Sequence, residues 1–187
     1  MQGRHAIHGH AIVSADDFIA GADGITPPSL RNDADWARFQ AALDAAAVTV
    51  LGRLGHEANP NAKARNRLVV SSSGRGIERR ADAWWWNPAG ATLAEALAKA
   101  APGGGVVAVT GGMRVFDLFL AIGYDEFHLA RARKAHIGNG VPVFGACASG
   151  VRADNVLRRH GLVQRAEEVL DPVAGVTLAV WGSAQPL

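Results

Sequence analysis

Residues 106–120 read V-V-A-V-T-G-G-M-R-V-F-D-L-F-L. A β-branched apolar run, a glycine pair and an apolar stretch of different period make a strand, a turn and a helix in immediate succession. A buried strand of this kind needs partners on both sides, and the helix behind it needs a sheet face to cover. The remaining chain supplies both. Ala11 to Ser14 reads as a short strand, Ala47 to Leu51 and Arg67 to Ser71 as buried strands, Ala83 to Trp86 as another, and Glu126 to Arg131 as a further one. Between them, Asn32 or Asp33 can cap a helix whose stripe is Trp36, Phe39, Leu43 and Ala46 or Ala47, while Thr92-Leu93-Ala94-Glu95 has capping-box spacing ahead of a helix to about Ala101. Met113 to Ala121 completes the helices, and strands alternating with helices imply an α/β domain with a mostly parallel sheet and helices on both faces. Leu162 to Leu170 and Val176 to Trp181, joined by Asp171-Pro172-Val173-Ala174-Gly175, read as an antiparallel C-terminal hairpin.

At 187 residues the chain is expected to form one domain spanning 1–187, large enough to bury its core without disulfides or structural metal. The single Cys147 excludes an intrachain disulfide and any multi-thiolate zinc site. Three histidines and an arginine interrupt the N-terminal M-Q-G-R-H-A-I-H-G-H-A-I-V, so a signal-peptide core is missing and a cytoplasmic location is expected. His5, His8 and His10 read as a solvated arm, and His128 and His136 lack metal-ligand spacing. A net charge of +2 with scattered Lys and Arg gives no nucleic-acid footprint. No run reaches the length of a membrane span, so the expected partner is a small molecule.

The glycine pair is open to two readings, a tight strand-to-helix turn or a place where phosphate rests on the N–H groups at a helix start. Neither G-x-G-x-x-G nor G-x-x-x-x-G-K-[ST] occurs, so a phosphorylated ligand would have to bind in another way. Gly52-Arg53, Ser71-Ser72-Ser73-Gly74-Arg75 and Gly111-Gly112-Met113-Arg114 each follow a strand. In a parallel sheet they share its carboxyl edge, where guanidinium and hydroxyl groups suit a phosphate monoester.

Four strings, D-W-A-R-F at 35–39, G-R at 52–53, A-R-N-R-L-V-V-S-S at 64–72 and V-A-V-T-G-G-M-R-V-F at 107–116, resemble the dihydrofolate reductase pattern in order and spacing. Residues 125–129 and 136–144 are more similar to the reductase half of the bifunctional riboflavin-biosynthesis deaminase/reductase. The resemblance implies a dihydrofolate reductase-like fold with NADPH as hydride donor. Gly111, Gly112, Met113, Arg114, Val115 and Phe116 then lie at the cofactor, with Gly52, Arg53, Ser71, Ser72 and Arg75 at its adenosine phosphate. Ile19 and Ala20 belong to a flexible loop over the nicotinamide, with Thr110 at the strand end beside it.

Asp35 sits four residues before Phe39 and eight before Leu43, near the apolar side of its helix. It can serve the helix dipole as a first-turn acid, or it can do chemistry. The resemblance implies the second role: Asp35 holds a pterin ring and assists its protonation, Phe39 and Ile12 flank the ring, and Arg65 takes the carboxylate of a folate tail. The implied reaction is reduction of a C=N bond, with dihydrofolate the leading substrate. Leu30 and Ala130 depart from the usual tryptophan and threonine, and the loop before Asp35 is longer. The alternatives are a phosphoribosylamino-uracil, its phosphate on Arg131 or Arg133, and a binder of NADPH without catalysis. The deaminase signature H-x-E with P-C-x-x-C is absent, and the resemblance of the last third implies a possible homodimer.

Overall fold

The computed structural model describes residues 3–184. Its strands are β1 (His5–Ser14), β2 (Phe18–Gly21), β3 (Val48–Gly52), β4 (Arg67–Val70), β5 (Ile77–Arg80), β6 (Ala83–Trp86), β7 (Gly105–Val109), β8 (Glu126–Ala132), β9 (Gly140–Pro142), β10 (Leu162–Asp171) and β11 (Val176–Ser183). Its helices are α1 (Asp33–Ala45), α2 (Arg53–Ala58), α3 (Leu93–Ala100), α4 (Met113–Ile122) and α5 (Ala153–Arg159).

Nine strands form one sheet in the order β10-β11-β8-β1-β7-β3-β4-β6-β5. The run from β8 to β6 is parallel throughout, β5, β10 and β11 join this sheet antiparallel, and β2 and β9 form a separate antiparallel pair. Alternation along each strand sorts the side chains between two faces. Val48, Val50 and Leu68 join the main core with Phe116 and Phe119 of α4 and Val156 and Leu157 of α5, whereas Leu51 and Val69 face the other way with Trp85. The tryptophan run obeys the same rule, since Trp84 and Trp86 pack into the main core opposite Trp85. The α1 helix lies on the second face, where its Phe39 ring stands edge-on to His10 of β1 at 6.3 Å.

Local signals explain several boundaries. Thr92 and Glu95 form the reciprocal capping box of α3, and the Asn32 side chain accepts from the Asp35 N–H at the start of α1. The hairpin of β10 and β11 closes the sheet as the sequence predicts.

The departures have physical causes. β1 begins at His5, not Ala11, because parallel pairing with β7 from His5↔Gly105 onward satisfies its backbone whatever its side chains. The histidines therefore belong to a central strand and are not a solvated arm. The strand predicted for 47–51 runs from Val48 to Gly52, and Arg53 opens α2. In α1 the covered stripe is Asp35, Phe39 and Leu43, and Trp36 is 60% exposed, so the sheet-facing side is turned from the predicted one. β5, α2 and α5 lack strong periodicity in sequence. β5 is a polar edge strand, and α5 buries only Ala153, Val156 and Leu157.

Gly9, in the middle of β1, has a sharp packing role. A Cβ there would fall 2.2 Å from Phe127 Cδ2, and the Phe127 ring is fixed among Phe116, Tyr124 and Phe144. Gly9→Ala is expected to destabilise the fold by about 1–3 kcal/mol through overpacking. For a chain of this size that is roughly 2–4 °C of melting temperature per kcal/mol. Gly103→Ala, which meets nothing within 4 Å, should leave the melting temperature unchanged. Equal thermal melts for the two variants would contradict this account of the core.

Candidate functional site

β7, β3 and β4 are neighbours in that order, so Gly111, Gly52 and Ser71 follow one another along the carboxyl edge of the sheet. The Gly52 N–H donates to the Gly111 carbonyl at 3.0 Å, and the Thr110 hydroxyl donates to the Val50 carbonyl at 3.2 Å. The ends of β3 and β7 are thereby held side by side. The two glycines of the pair have different reasons to be glycine. Gly111 has φ +104°, and a Cβ on it would stand 2.7 Å from the Phe116 ring, so the fold itself demands glycine. Gly112 has ordinary φ, and a Cβ on it would meet only Ile19 Cδ1 at 3.9 Å. Its backbone thus faces open space, bounded on one side by Ile19. The peptide joining them is cis.

Gly112 is the N-cap of α4 and gives it no side-chain cap, so the first N–H groups of this ten-residue helix are available to an anion. Arg114 is exposed in the first turn, and Met113 is half-buried beside it. Val115 and Phe116 point away from the edge. Both are buried in the main core, where Phe116 packs against Phe127 and Phe144. On the neighbouring ends, Arg53 is exposed and pairs with Glu57 at 3.1 Å, Ser71 shares a hydrogen bond with Ser73 at 2.9 Å, and Ser72 and Arg75 are exposed.

The loop expected to be flexible is instead tied down. Phe18 to Gly21 pair with β9, the Phe18 N–H donates to Ser14 Oγ at 3.0 Å, and the Asp16 carboxylate accepts from the Gly138 N–H at 2.8 Å. Asp17, almost fully buried, accepts from Arg131, from Arg152 and from the Ala153 N–H. Ala20 is buried against β9, so Ile19 is the residue of this segment that reaches the glycine pair.

Across the sheet, Asp35 occupies the first turn of α1 and is buried. Burial raises its carboxyl above the usual range, opposed by the Arg38 guanidinium at 3.4 Å. Phe39, one turn on, faces His10, and His10 and Ile12 share a face of β1 by alternation. Asp35, Phe39 and Ile12 therefore belong to the same side of the sheet. Ala130 is the register partner of Ile12 and is fully buried.

The arginines assigned to substrate tails are already engaged. Arg65 donates to Asp44 at 2.6 and 2.8 Å and to Gln40 Oε1 at 2.7 Å. Arg131 is held between Asp17 and Asp154, and Arg133 lies on the surface with Glu167 and Thr177. Cys147 is half-buried, and burial pushes its thiol up to about 11, which leaves it protonated and unreactive at neutral pH.

His10 and His128 are the residues that sequence reasoning missed. They stack at 4.7 Å, and burial, then repulsion from His128 and Arg38, pushes His10 down to about 3. The available signal was H-x-H at strand period, which places His8 and His10 on one face.

No protein-family model matches the chain, and no curated protein matches it. Solved structures do. Dihydrofolate reductase from Enterococcus faecalis, complexed with NADP(H) and RAB-propyl, superposes with a TM-score of 0.69 at 16% identity, covering 99% of this chain and 100% of that one. The diaminohydroxyphosphoribosylaminopyrimidine deaminase/5-amino-6-(5-phosphoribosylamino)uracil reductase from Thermotoga maritima gives 0.66 at 16% identity over 97% of this chain, which spans 57% of that protein. A protein assigned to riboflavin biosynthesis, from Shewanella sp. PV-4, gives 0.63 at 17% identity, covering 96% and 99%. At these identities the likeness establishes architecture, and with the sheet order and the C-terminal hairpin it shows that this chain has the dihydrofolate reductase-like fold.

Proposed function

We propose that the chain is an NADPH-dependent reductase that delivers hydride to a C=N bond of a small pterin-like heterocycle. The observation that carries this reading is the glycine pair: Gly111 is fixed by the fold, while Gly112 leaves open backbone at the uncapped start of α4. The fit to a dinucleotide rests on chemistry present along that edge. Gly111, Gly112 and the first turn of α4 would hold its pyrophosphate, and Arg114, Arg53, Ser71, Ser72 and Arg75 supply cations and hydroxyls for its remaining phosphate. When bound, NADPH supplies the hydride.

The protein's own part is to orient the ring and to hold a proton. Asp35 is the acid placed for it, since burial raises its pKa while the Arg38 guanidinium opposes that shift. Ile12 and Phe39 give the ring apolar walls, and Ile19 bounds the glycine pair on one side. Dihydrofolate is the first substrate to test. The uracil derivative is the second reading; the tail anion of either substrate would have to displace partners from an engaged arginine, Asp44 and Gln40 from Arg65 for a folate, or the carboxylates on Arg131 or Arg133 for the phosphate.

Two outcomes are expected. NADPH should bind more tightly than NADH in a fluorescence titration. Arg114→Glu, an exposed change, should weaken NADPH by about tenfold or more, the worth of a charge-assisted hydrogen bond, with the melting temperature unchanged. Failure of the unaltered protein to bind either nucleotide would overturn the reading.

Turnover, followed by loss of NADPH absorbance with dihydrofolate and then with the uracil derivative, should fall in Asp35→Asn by about 10²–10⁴-fold. Because burial raises the Asp35 pKa, the protonated form persists to higher pH than for a free aspartate. kcat/KM should then decline as pH rises through that raised value, and the decline should vanish in Asp35→Asn. An unchanged profile would remove Asp35 from the chemistry.

A further inference from the structure

We propose that His8, His10 and His128 form a binding site for a divalent transition-metal cation of the zinc type, independent of the nucleotide edge. Sequence and register build this cluster together. His8 and His10 are two residues apart on β1, so they share a face, and parallel pairing puts His128 of β8 directly beside His10. Among the described residues this is the group whose side chains offer one donor atom each, all within 4.8 Å of one another.

The size of that separation is informative. Imidazole nitrogens about 2.0–2.1 Å from a tetrahedral zinc lie roughly 3.3–3.4 Å apart, so closing the cluster takes a movement of about 1.5 Å or less. Rotation of the three rings about their side-chain bonds is the movement that binding would require. His10 and His128 are inclined by 20° and His8 and His128 by 32° at 5.9 Å, so the rings must rotate for their in-plane lone pairs to converge on one ion.

Two further observations point to a ligand. His10 is buried, and its Nδ1 has no hydrogen-bond partner among the described residues, an arrangement that costs about 1–3 kcal/mol where nothing compensates it. Glu126, the register partner of His8, stands at the mouth. Its Oε2 lies 3.0 Å from His128 Nε2 and 3.9 Å from His8 Nδ1, the position of a carboxylate that orients metal-binding imidazoles and offsets cation charge. His8 and His128 are partly exposed, which leaves an entry path to the buried His10. From α1, Arg38 faces the cluster and opposes a cation, while Asp35 at 3.4 Å draws part of its charge and Phe39 covers the His10 edge.

Three imidazoles without a thiolate select Zn²⁺, Co²⁺, Ni²⁺ or Cu²⁺ over Mg²⁺ and Ca²⁺, and they leave a fourth position open to water or an anion. The cluster lies on the Ile12 face of the sheet, further from the carboxyl edge that carries the glycine pair.

The test is calorimetric titration of the chelator-treated full chain with Zn²⁺, repeated with Co²⁺ while the visible spectrum is recorded. One equivalent should bind, and Co²⁺ should give the strong band of a four- or five-coordinate site. His8→Gln and His128→Gln should each weaken Zn²⁺ by about 100-fold or more. His56→Gln and His136→Gln, outside the cluster, should not change it. If the cluster variants fold poorly, NMR of the unaltered protein decides, because the imidazole resonances of His8, His10 and His128 must shift together at one equivalent. Absence of one-equivalent binding, binding unaffected in His8→Gln and His128→Gln, or shifts confined to other histidines would overturn the proposal.

Discussion

The in-register parallel pairing of β7 with β1 on one side and β3 on the other governs everything placed at the sheet edge. Because Gly9 and Val50 both stand opposite Val109, the end of β7 is fixed against its two neighbours, and the Gly52 N–H reaches the Gly111 carbonyl. A slip of one residue would turn Val107 and Val109 out of the core and carry the glycine pair away from Gly52. The same pairing needs Gly9, since only a residue without Cβ lets β1 pass the Phe127 ring. The buried aromatic cluster of Phe116, Tyr124, Phe127 and Phe144 thus helps fix the position of the glycine loop, which Phe116 itself touches at Gly111.

The face under α1 follows from a second constraint, the burial of charge. Asp35, Arg38, His10 and His128 are close together in a poorly hydrated space, where burial raises the Asp35 pKa and lowers those of His10 and His128, with the Arg38 charge acting on all three. Arg38 and Asp35 largely neutralise one another, which lets an acid sit in the apolar stripe between sheet and helix. His10 answers the same pressure by remaining neutral.

Elements with strong period and clear punctuation were legible in sequence: β7, α4, α3 with its capping box, and the C-terminal hairpin. The burial of Asp35 was legible too, through its spacing to Phe39 and Leu43. The length of β1 was not, because polar histidines at strand period mimic a solvated segment until β7 and β8 enclose them. Nor was the engagement of Arg65 by Asp44 or of Arg131 by Asp17, since these pairs join residues far apart in the chain. Residue type locates a guanidinium at a site, but tertiary contacts decide whether it is free.

That distinction separates the two halves of the proposed site. On the α1 side Arg38 and Arg65 each face a carboxylate of the protein itself, and so does Arg131 on the opposite face of the sheet. Along the glycine edge, Arg114 and Arg75 are exposed and make no ion pair among the described residues, and Arg53 holds only an exposed partner one helical turn away. Surface pairs of that kind are worth about 0–1 kcal/mol and yield readily to a phosphate. Displacing Asp44 from the doubly bonded, largely enclosed Arg65 costs more, because it strands groups that now satisfy one another. The electrostatics of the chain therefore favour a polyanion at the glycine edge and a ring of little charge beside Asp35. This division separates an edge able to accept phosphate from an apolar face whose cations are already held by the protein's own carboxylates.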